Sequence, residues 1–445
     1  MNQESSMTAQ NFDLVVVGAS LAGCTCAILA AREGLKVALV ERHADPGAHK
    51  ALCTHFIQPS ATPVLRRLGL DVQIEAAGGL RNHIEVHTPY GWVGDHLGTD
   101  DRADRSTGNP AAGHGYNIRR ASLDPMIRRL AAQTPGVTLM LGRSASGLVE
   151  DGSRIVGVRT GDSSSRSEAG SECLTAPLVV AADGRLSTLA DLAGVPTKTT
   201  PTTRFGVMCA FRGLRLPRGT TSQMWLSGPE VAYVFPNEDG IAIVVWMGLK
   251  EDLEGCRDRP LDALLEHLRR QPAAPDFEGA TALGPPLVVK DHANRWRPPV
   301  HRGMALVGDA QQSIDYLWGV GCGWAFQTSA WLVDALAPAL RERRGPAPAL
   351  ADYERQCRKA LRGHRFLIND FSGRRNFNAI ERLMFSAAAK DVAMARHLNR
   401  FGARIDPPSR FLAPGALARA AWVNLSRRRS VDDEGTRTPM APRPA

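Results

Sequence analysis

Apolar runs alternate with polar, glycine-punctuated turns along this chain, and the lengths of the runs predict its elements. Leu14 to Val17 is a short, continuous apolar run, as a parallel strand buried on both faces requires. Cys24 to Arg32 has helix composition, and Gly34 stands where that helix should stop. Lys36 to Val40 is a second apolar strand, closed by Glu41. Two later runs repeat the design. Pro177 to Ala182 leads into Asp183-Gly184, with Ser187 opening a helix. Met304 to Val307 leads into Gly308-Asp309, then a glycine-rich turn and a helix from about Trp324 to Leu340.

The intervening text reads differently. Residues 44–62 are irregular, and Val64 to Leu68 is a short helix closed by Gly69. Arg81 to Gly115 is rich in Gly, His, Asp and Thr, with one alternating piece at Ile84 to His87, and is read as strand and loop. A helix opens at Arg120-Ala-Ser122, with Ser122 as its expected N-cap, and ends at Pro135-Gly136 before a strand, Val137 to Leu141. Arg154 to Arg159 and Glu172 to Leu174 predict a small antiparallel layer around a polar loop, Gly161 to Gly170. Phe205 to Leu216, Gln223 to Leu226, Val231 to Phe235 and Ile241 to Met247 predict an antiparallel sheet, with Asn237 to Gly240 as a hairpin turn. Leu261 to Arg269 is a helix. Beyond Pro346 the chain is helical and Arg-rich to about Leu425, and residues 426–445 hold too few apolar side chains to fold.

Length and composition narrow the picture. With 445 residues, 43% hydrophobic and 22% charged, the chain suits two or three globular domains. No apolar run is long enough to span a bilayer, and Met1 to Asn11 lacks a signal core, so a cytoplasmic protein without a membrane partner is expected. The net charge of +9 includes Arg427-Arg428-Arg429, but no basic patch interleaves with aromatics, which argues against nucleic acid. The eight cysteines form no C-x-x-C pair, so no metal site is expected; Cys24 and Cys26 read as small packing residues.

The chemistry is clearest in Asp13 to Glu41, a strand–turn–helix–strand unit. Gly18, Ser20 and Gly23 form a turn that places backbone N–H groups at a helix start, where a pyrophosphate binds. Glu41, next to Arg42, is placed to bond a ribose hydroxyl and would repel a ribose phosphate, so NADP is not expected here. Ser20 replaces the usual second glycine and could donate to a phosphate.

These three strand-end signatures, in this order over residues 13–335, resemble the FAD-dependent monooxygenase superfamily with the fold of para-hydroxybenzoate hydroxylase. Relatives there include geranylgeranyl-reductase-like enzymes and flavin-dependent halogenases. The resemblance implies an α/β fold: a Rossmann-like FAD-binding domain with an inserted antiparallel-sheet substrate domain and a helical C-terminal region. It divides the chain into FAD-binding segments 11–81, 112–195 and 291–340, substrate-domain segments 82–111 and 196–290, C-terminal helices 341–425 and a tail 426–445.

It also implies site residues. Gly18, Ser20, Gly23 and Glu41 fall in the pyrophosphate and ribose positions, with Arg42 beside them. Arg120 matches an arginine that contacts FAD, and Asp183-Gly184 a motif associated with FAD and NAD(P)H use. Asp309, after Gly308, matches the aspartate on the ribityl chain, and Gly319 and Gly321 the turn facing the flavin pyrimidine edge. The cofactor would be non-covalent FAD, reduced by NADPH or NADH directly or through a flavin reductase. The reaction implied is hydroxylation or epoxidation of a small organic substrate through a flavin C4a-hydroperoxide, with prenyl-type reduction and halogenation as alternatives. The family's flavin-turn proline is Tyr316 here, the halogenase Trp-x-Trp-x-Ile-Pro stretch is missing, and Arg81 stands at the apparent halogenase lysine position. No catalytic residue is assigned. His55, Tyr233 and Trp318 lead the pocket candidates, with Gln58, His114, Tyr116, Trp225 and Asp315 behind them.

Overall fold

A computed structural model describes residues 9–94, 113–164, 172–373 and 375–426. Residues 1–8, 95–112, 165–171, 374 and 427–445 lie outside the described residues, and with them most of the expected polar loop Gly161 to Gly170 and nearly all of the expected tail.

The apolar runs assemble as their composition requires. Leu14–Val17 (β1) is buried at every residue and lies at the centre of a six-stranded sheet. The helix Leu21–Arg32 (α1) returns the chain to Val37–Glu41 (β2), which pairs parallel to β1 with Leu14 opposite Val37. Helix Arg120–Gln133 (α2) leads to Val137–Leu141 (β3) beside β2. On the other side of β1 lie Leu178–Ala181 (β4) and Met304–Leu306 (β5), also parallel. The register sets Val17 against Val40 and Ala181, and Ala181 against Leu306. The strands therefore end level, and Gly18, Asp183 and Gly308 all emerge at one carboxyl edge. In open α/β sheets that edge is where ligands bind. From it runs the long helix Gly321–Arg341 (α3).

The second sheet is antiparallel over Gly206–Arg212, Ile241–Met247, Glu230–Pro236 and Ser222–Ser227. Ile84–Thr88 adds to it in parallel beside Ser222–Ser227, so a distant segment completes the layer. Period-two alternation gives it two faces. Ala232, Val234 and Trp225 pack on the side of helix Pro260–Arg269. Tyr233 and Phe235 face Phe56, Leu317 and the C-terminal helices. Those helices are Ala347–Phe371, Ala379–Ala388, Val392–Gly402, Pro408–Phe411 and Pro414–Ser426.

Three local readings are corrected. Ser122 does not cap α2: the helix starts two residues earlier with Arg119 at the cap, and Ser122 Oγ donates to Glu238 at 2.7 Å. Helix α3 begins at Gly321, not Trp324, which brings its amino end into the glycine turn. Arg143–Asp151, read as no element, is a strand paired with Arg154–Asp162.

Candidate cofactor site

The site begins with two helix starts at the same sheet edge. In the first, Gly18 has φ +104°, and a Cβ there would lie 2.5 Å from the Ala182 carbonyl oxygen. A Cβ at Gly23 would lie 1.7 Å from the Gly18 carbonyl oxygen. Neither position admits a larger residue without moving backbone. Ser20 caps α1 only through its backbone, so no side chain occupies the first N–H groups of the helix. Helix-start N–H groups without a side-chain acceptor favour an anion. Glu41 is buried at the end of β2, where one carboxylate oxygen accepts from Ala19 N at 2.8 Å and the other from His43 N at 2.9 Å. It thus braces the turn. Arg42 is exposed, with Nε 3.3 Å from the His43 ring.

Arg120 connects this turn to the second. Its Nη2 donates to Ser20 Oγ at 2.7 Å and its Nε to Asp124 at 2.7 Å. Asp124 in turn accepts from Lys50 N at 3.0 Å, and Lys50 Nζ donates to Asp309 at 2.7 Å. Burial alone would raise the Asp309 carboxyl, but the Lys50 ammonium outweighs it and holds the group below its ordinary range. Lys50 itself is raised by Asp309. Nothing in the sequence reading singled out Lys50, because its partner is 259 positions away.

The second helix start is pinned by side chains. Asp315 is buried; it accepts from Leu317 N and Thr202 Oγ1, each at 3.0 Å, and pairs with Arg204 at 3.4 Å. Tyr233 OH donates to the Leu317 carbonyl, and Gln58 Nε2 donates to the Trp318 carbonyl at 2.7 Å. Tyr316 fills the space beside Gly206, where a Cβ would lie 1.8 Å from its hydroxyl. Gly319 has φ +57°, and α3 starts two residues later without a side-chain cap. Side chains thus pin the turn, and the amino end of α3 lies next to Asp309, whose Oδ1 is 3.9 Å from where a Cβ on Gly321 would stand.

The other candidates have definite places. His55, with φ +59°, accepts from Arg120 N through Nδ1 at 2.9 Å, and burial holds its ring below the ordinary histidine range. Asp183 accepts from Ser187 Oγ and Leu189 N, so its carboxylate closes the turn after β4; Gly184 has φ +84°. Burial raises the Asp183 carboxyl. Trp225 lies on the far face of the antiparallel sheet, with Nε1 donating to Pro272 O at 2.9 Å. His114 and Tyr116 are buried together, and Tyr116 OH donates to Glu75, which also holds Arg81. Neither lies at the turn.

Two further groups escaped sequence reasoning. The Arg404 guanidinium lies 5.5 Å from the Trp318 ring, and its Nε and Nη2 are buried with no hydrogen-bond partner among the described residues. Burial lowers it to about 9. Cys53 Sγ lies 3.6 Å from Cys322 Sγ in the first turn of α3.

The two helix starts at one edge would suit an elongated dinucleotide: an anion at α1, with Asp309, now paired with Lys50, and the amino end of α3 as the groups that would hold its other half. When bound, FAD would supply two-electron redox chemistry that none of these side chains provides.

Comparison with known proteins agrees. The family model described as FAD binding domain matches residues 11–363. A probable electron transfer flavoprotein-quinone oxidoreductase of Escherichia coli is 25% identical over 55% of this chain, and the match spans half of that relative. Digeranylgeranylglycerophospholipid reductase 2 of Methanothermobacter thermautotrophicus is 26% identical over 79% of the chain and 84% of its own length. The 6-methylpretetramide 4-monooxygenase of Streptomyces rimosus is 25% identical over 74% and 76%. Among solved structures, p-nitrophenol 4-monooxygenase from Pseudomonas putida superposes with a TM-score of 0.72 at 17% identity, covering 90% of this chain and 99% of that one. The flavin-dependent brominase Bmp2 gives 0.70 at 18%, covering 96% and 99%. At these identities the two structures speak to the fold alone.

Proposed function

Because the chain belongs to the FAD binding domain family, we propose that this FAD-dependent oxidoreductase is a monooxygenase. It would insert one atom of dioxygen into a small organic substrate and reduce the other to water, with NADPH or NADH as the ultimate electron source. The observation that carries this reading is the roof over the flavin turn. Phe235 stacks on Tyr233 with centroids 5.3 Å apart and meets Phe56 at a tilt of 37° and 5.2 Å, and Tyr233 is bonded directly to the turn. An apolar, fixed roof excludes water from the reacting face, which oxygen transfer needs. Arg404, whose Nη1 meets the His364 ring at 3.3 Å but whose Nε and Nη2 have no partner among the described residues, lies beside Trp318 and would favour a substrate with an acidic or ionisable oxygen.

Arg81 weighs against halogenation. Its guanidinium is held by both oxygens of Glu75 at 2.9 and 3.2 Å, and a delocalised cation is a poor proton donor to a hypohalous acid. Double-bond reduction is the second reading, favoured by the length of the match to the archaeal reductase. The experiment supplies NADPH, NADH or a flavin reductase, labelled dioxygen and a panel of phenols and aromatic carboxylates. One labelled oxygen atom per product supports monooxygenation. Turnover under strict anaerobiosis supports reduction, and a brominated or chlorinated product supports halogenation; either one refutes the proposal.

A further inference from the structure

Six of the eight cysteines, Cys24, Cys26, Cys209, Cys256, Cys322 and Cys357, are buried, chiefly in apolar packing, and Cys322 alone of them touches another cysteine sulfur. Cys53 and Cys322 differ. Their sulfurs meet at 3.6 Å across the wall between the 43–55 segment and α3. Cys53 is partly exposed, and its sulfur also receives the His55 N–H at 3.2 Å. Arg120 Nη1 stands 4.0 Å from the Cys322 sulfur, and Lys50 is three positions before Cys53. Two thiols in contact, the buried one at a helix start and within 4.0 Å of a guanidinium, the other partly exposed, are placed for thiol–disulfide chemistry as well as packing.

We propose that Cys53 and Cys322 are a redox pair that hydrogen peroxide closes to a disulfide, latching the 43–55 segment onto the first turn of α3. The latch rests on the FAD site described above; the thiol chemistry does not. The Cys53 thiolate attacks the O–O bond, giving a sulfenic acid and hydroxide, which takes the proton Cys53 has released. The Cys322 thiol then attacks the Cys53 sulfur, and its proton leaves with the departing hydroxide as water. In sum, two thiols and one peroxide give one disulfide and two waters. The sulfurs need to close by about 1.6 Å to reach a bond of about 2.05 Å.

The acid–base setting agrees with these roles. The hydrogen bond from Cys322, opposed by burial and helped by the Arg120 and Lys50 charges, holds Cys53 below the ordinary thiol range. Cys322 is held above it by the same hydrogen bond and by burial. Burial pushes the Cys26 thiol up to about 12, as expected of an inert sulfur.

The latch has a mechanical consequence. Lys50 in the same segment bonds Asp309 and, through its backbone, Asp124. A disulfide next to these groups ties the segment covalently across the cleft, so FAD should leave the oxidised protein more slowly.

The test treats the full-length protein with a slight excess of hydrogen peroxide and counts free thiols after denaturation. Loss of two of the eight thiols, a linked peptide pair containing Cys53 and Cys322, and return to eight with dithiothreitol support the proposal. Cys322→Ser should leave a sulfenic acid at Cys53 that dimedone traps, and Cys53→Ser should leave Cys322 reduced. Eight thiols remaining, or Cys173 reacting before Cys53, would overturn the pair. FAD released at equal rates from oxidised and reduced protein would overturn the latch. A protein that held no FAD but lost these two thiols would uphold the chemistry and refute the cofactor reading instead.

Discussion

At the Gly18–Gly23 turn, backbone lies directly on backbone: a Cβ on Gly23 would sit 1.7 Å from a carbonyl oxygen. At the Asp315–Gly321 turn, four side chains from three distant places hold the chain: Gln58, the neighbouring Thr202 and Arg204, and Tyr233. Both turns open a helix at the same sheet edge, and both leave it without a side-chain cap. The first is specified by residues close together in sequence and has no slack. The second is specified by tertiary contacts, each of which can be weakened singly. If the first turn holds a phosphate, as proposed, it has the fixed geometry that role needs.

The comparison can be broken most severely at Asp315. Asp315→Ala removes the acid that Arg204 meets in the interior and leaves a buried cation, at a cost of about 3–5 kcal/mol. A large drop in denaturation midpoint is expected, and an unchanged midpoint would mean the second turn is not held as described. Gly23→Ala should cost about 1–3 kcal/mol by overpacking. Its FAD content should fall to near zero even where the protein still folds, and a variant that retained full FAD would show that the first turn does have slack.

Asp309→Ala should lose FAD more readily than Asp183→Ala. Asp309 faces the cleft and loses a charged hydrogen bond of roughly 1.5–3 kcal/mol, whereas Asp183 spends its oxygens on Ser187 and Leu189. Flavin content after gel filtration reads this, and equal retention by the two variants would remove the distinction. The smallest effect concerns pH. His55 is neutral in the fold because burial lowers its affinity for protons, so the unfolded chain binds the proton first as pH falls below about 6.5. Stability is therefore lost on acidification through that window. His55→Asn, which keeps an acceptor and tolerates the positive φ, should give a flatter melting curve against pH between about 7 and 5. A steeper curve would contradict the assignment.

The same contrast explains what could be read from the sequence. The central parallel strand was legible because burial on both faces leaves an unbroken apolar run, and Leu14–Val17 coincides with its predicted span; the fully buried antiparallel strand Ile241–Met247 coincides with its own for the same reason. The Gly18–Glu41 unit was legible because its partners lie within one supersecondary unit. Ser122 was misread as a cap because its hydroxyl answers to Glu238, 116 positions away. Arg143–Asp151 is poor in β-branched residues and forms a strand only through its hairpin partner. Lys50, Arg404 and the Cys53–Cys322 contact carry no local signature, since each is defined by a residue brought close only by the fold.

Both turns are held here to serve one cofactor, and flavin quantification tests that most directly. The purified protein is precipitated with acid, and the supernatant is assayed for FAD. One FAD released per chain, with a colourless pellet, is the result expected. Colour retained in the pellet, FMN in place of FAD, or no flavin bound even after incubation with excess FAD would contradict it.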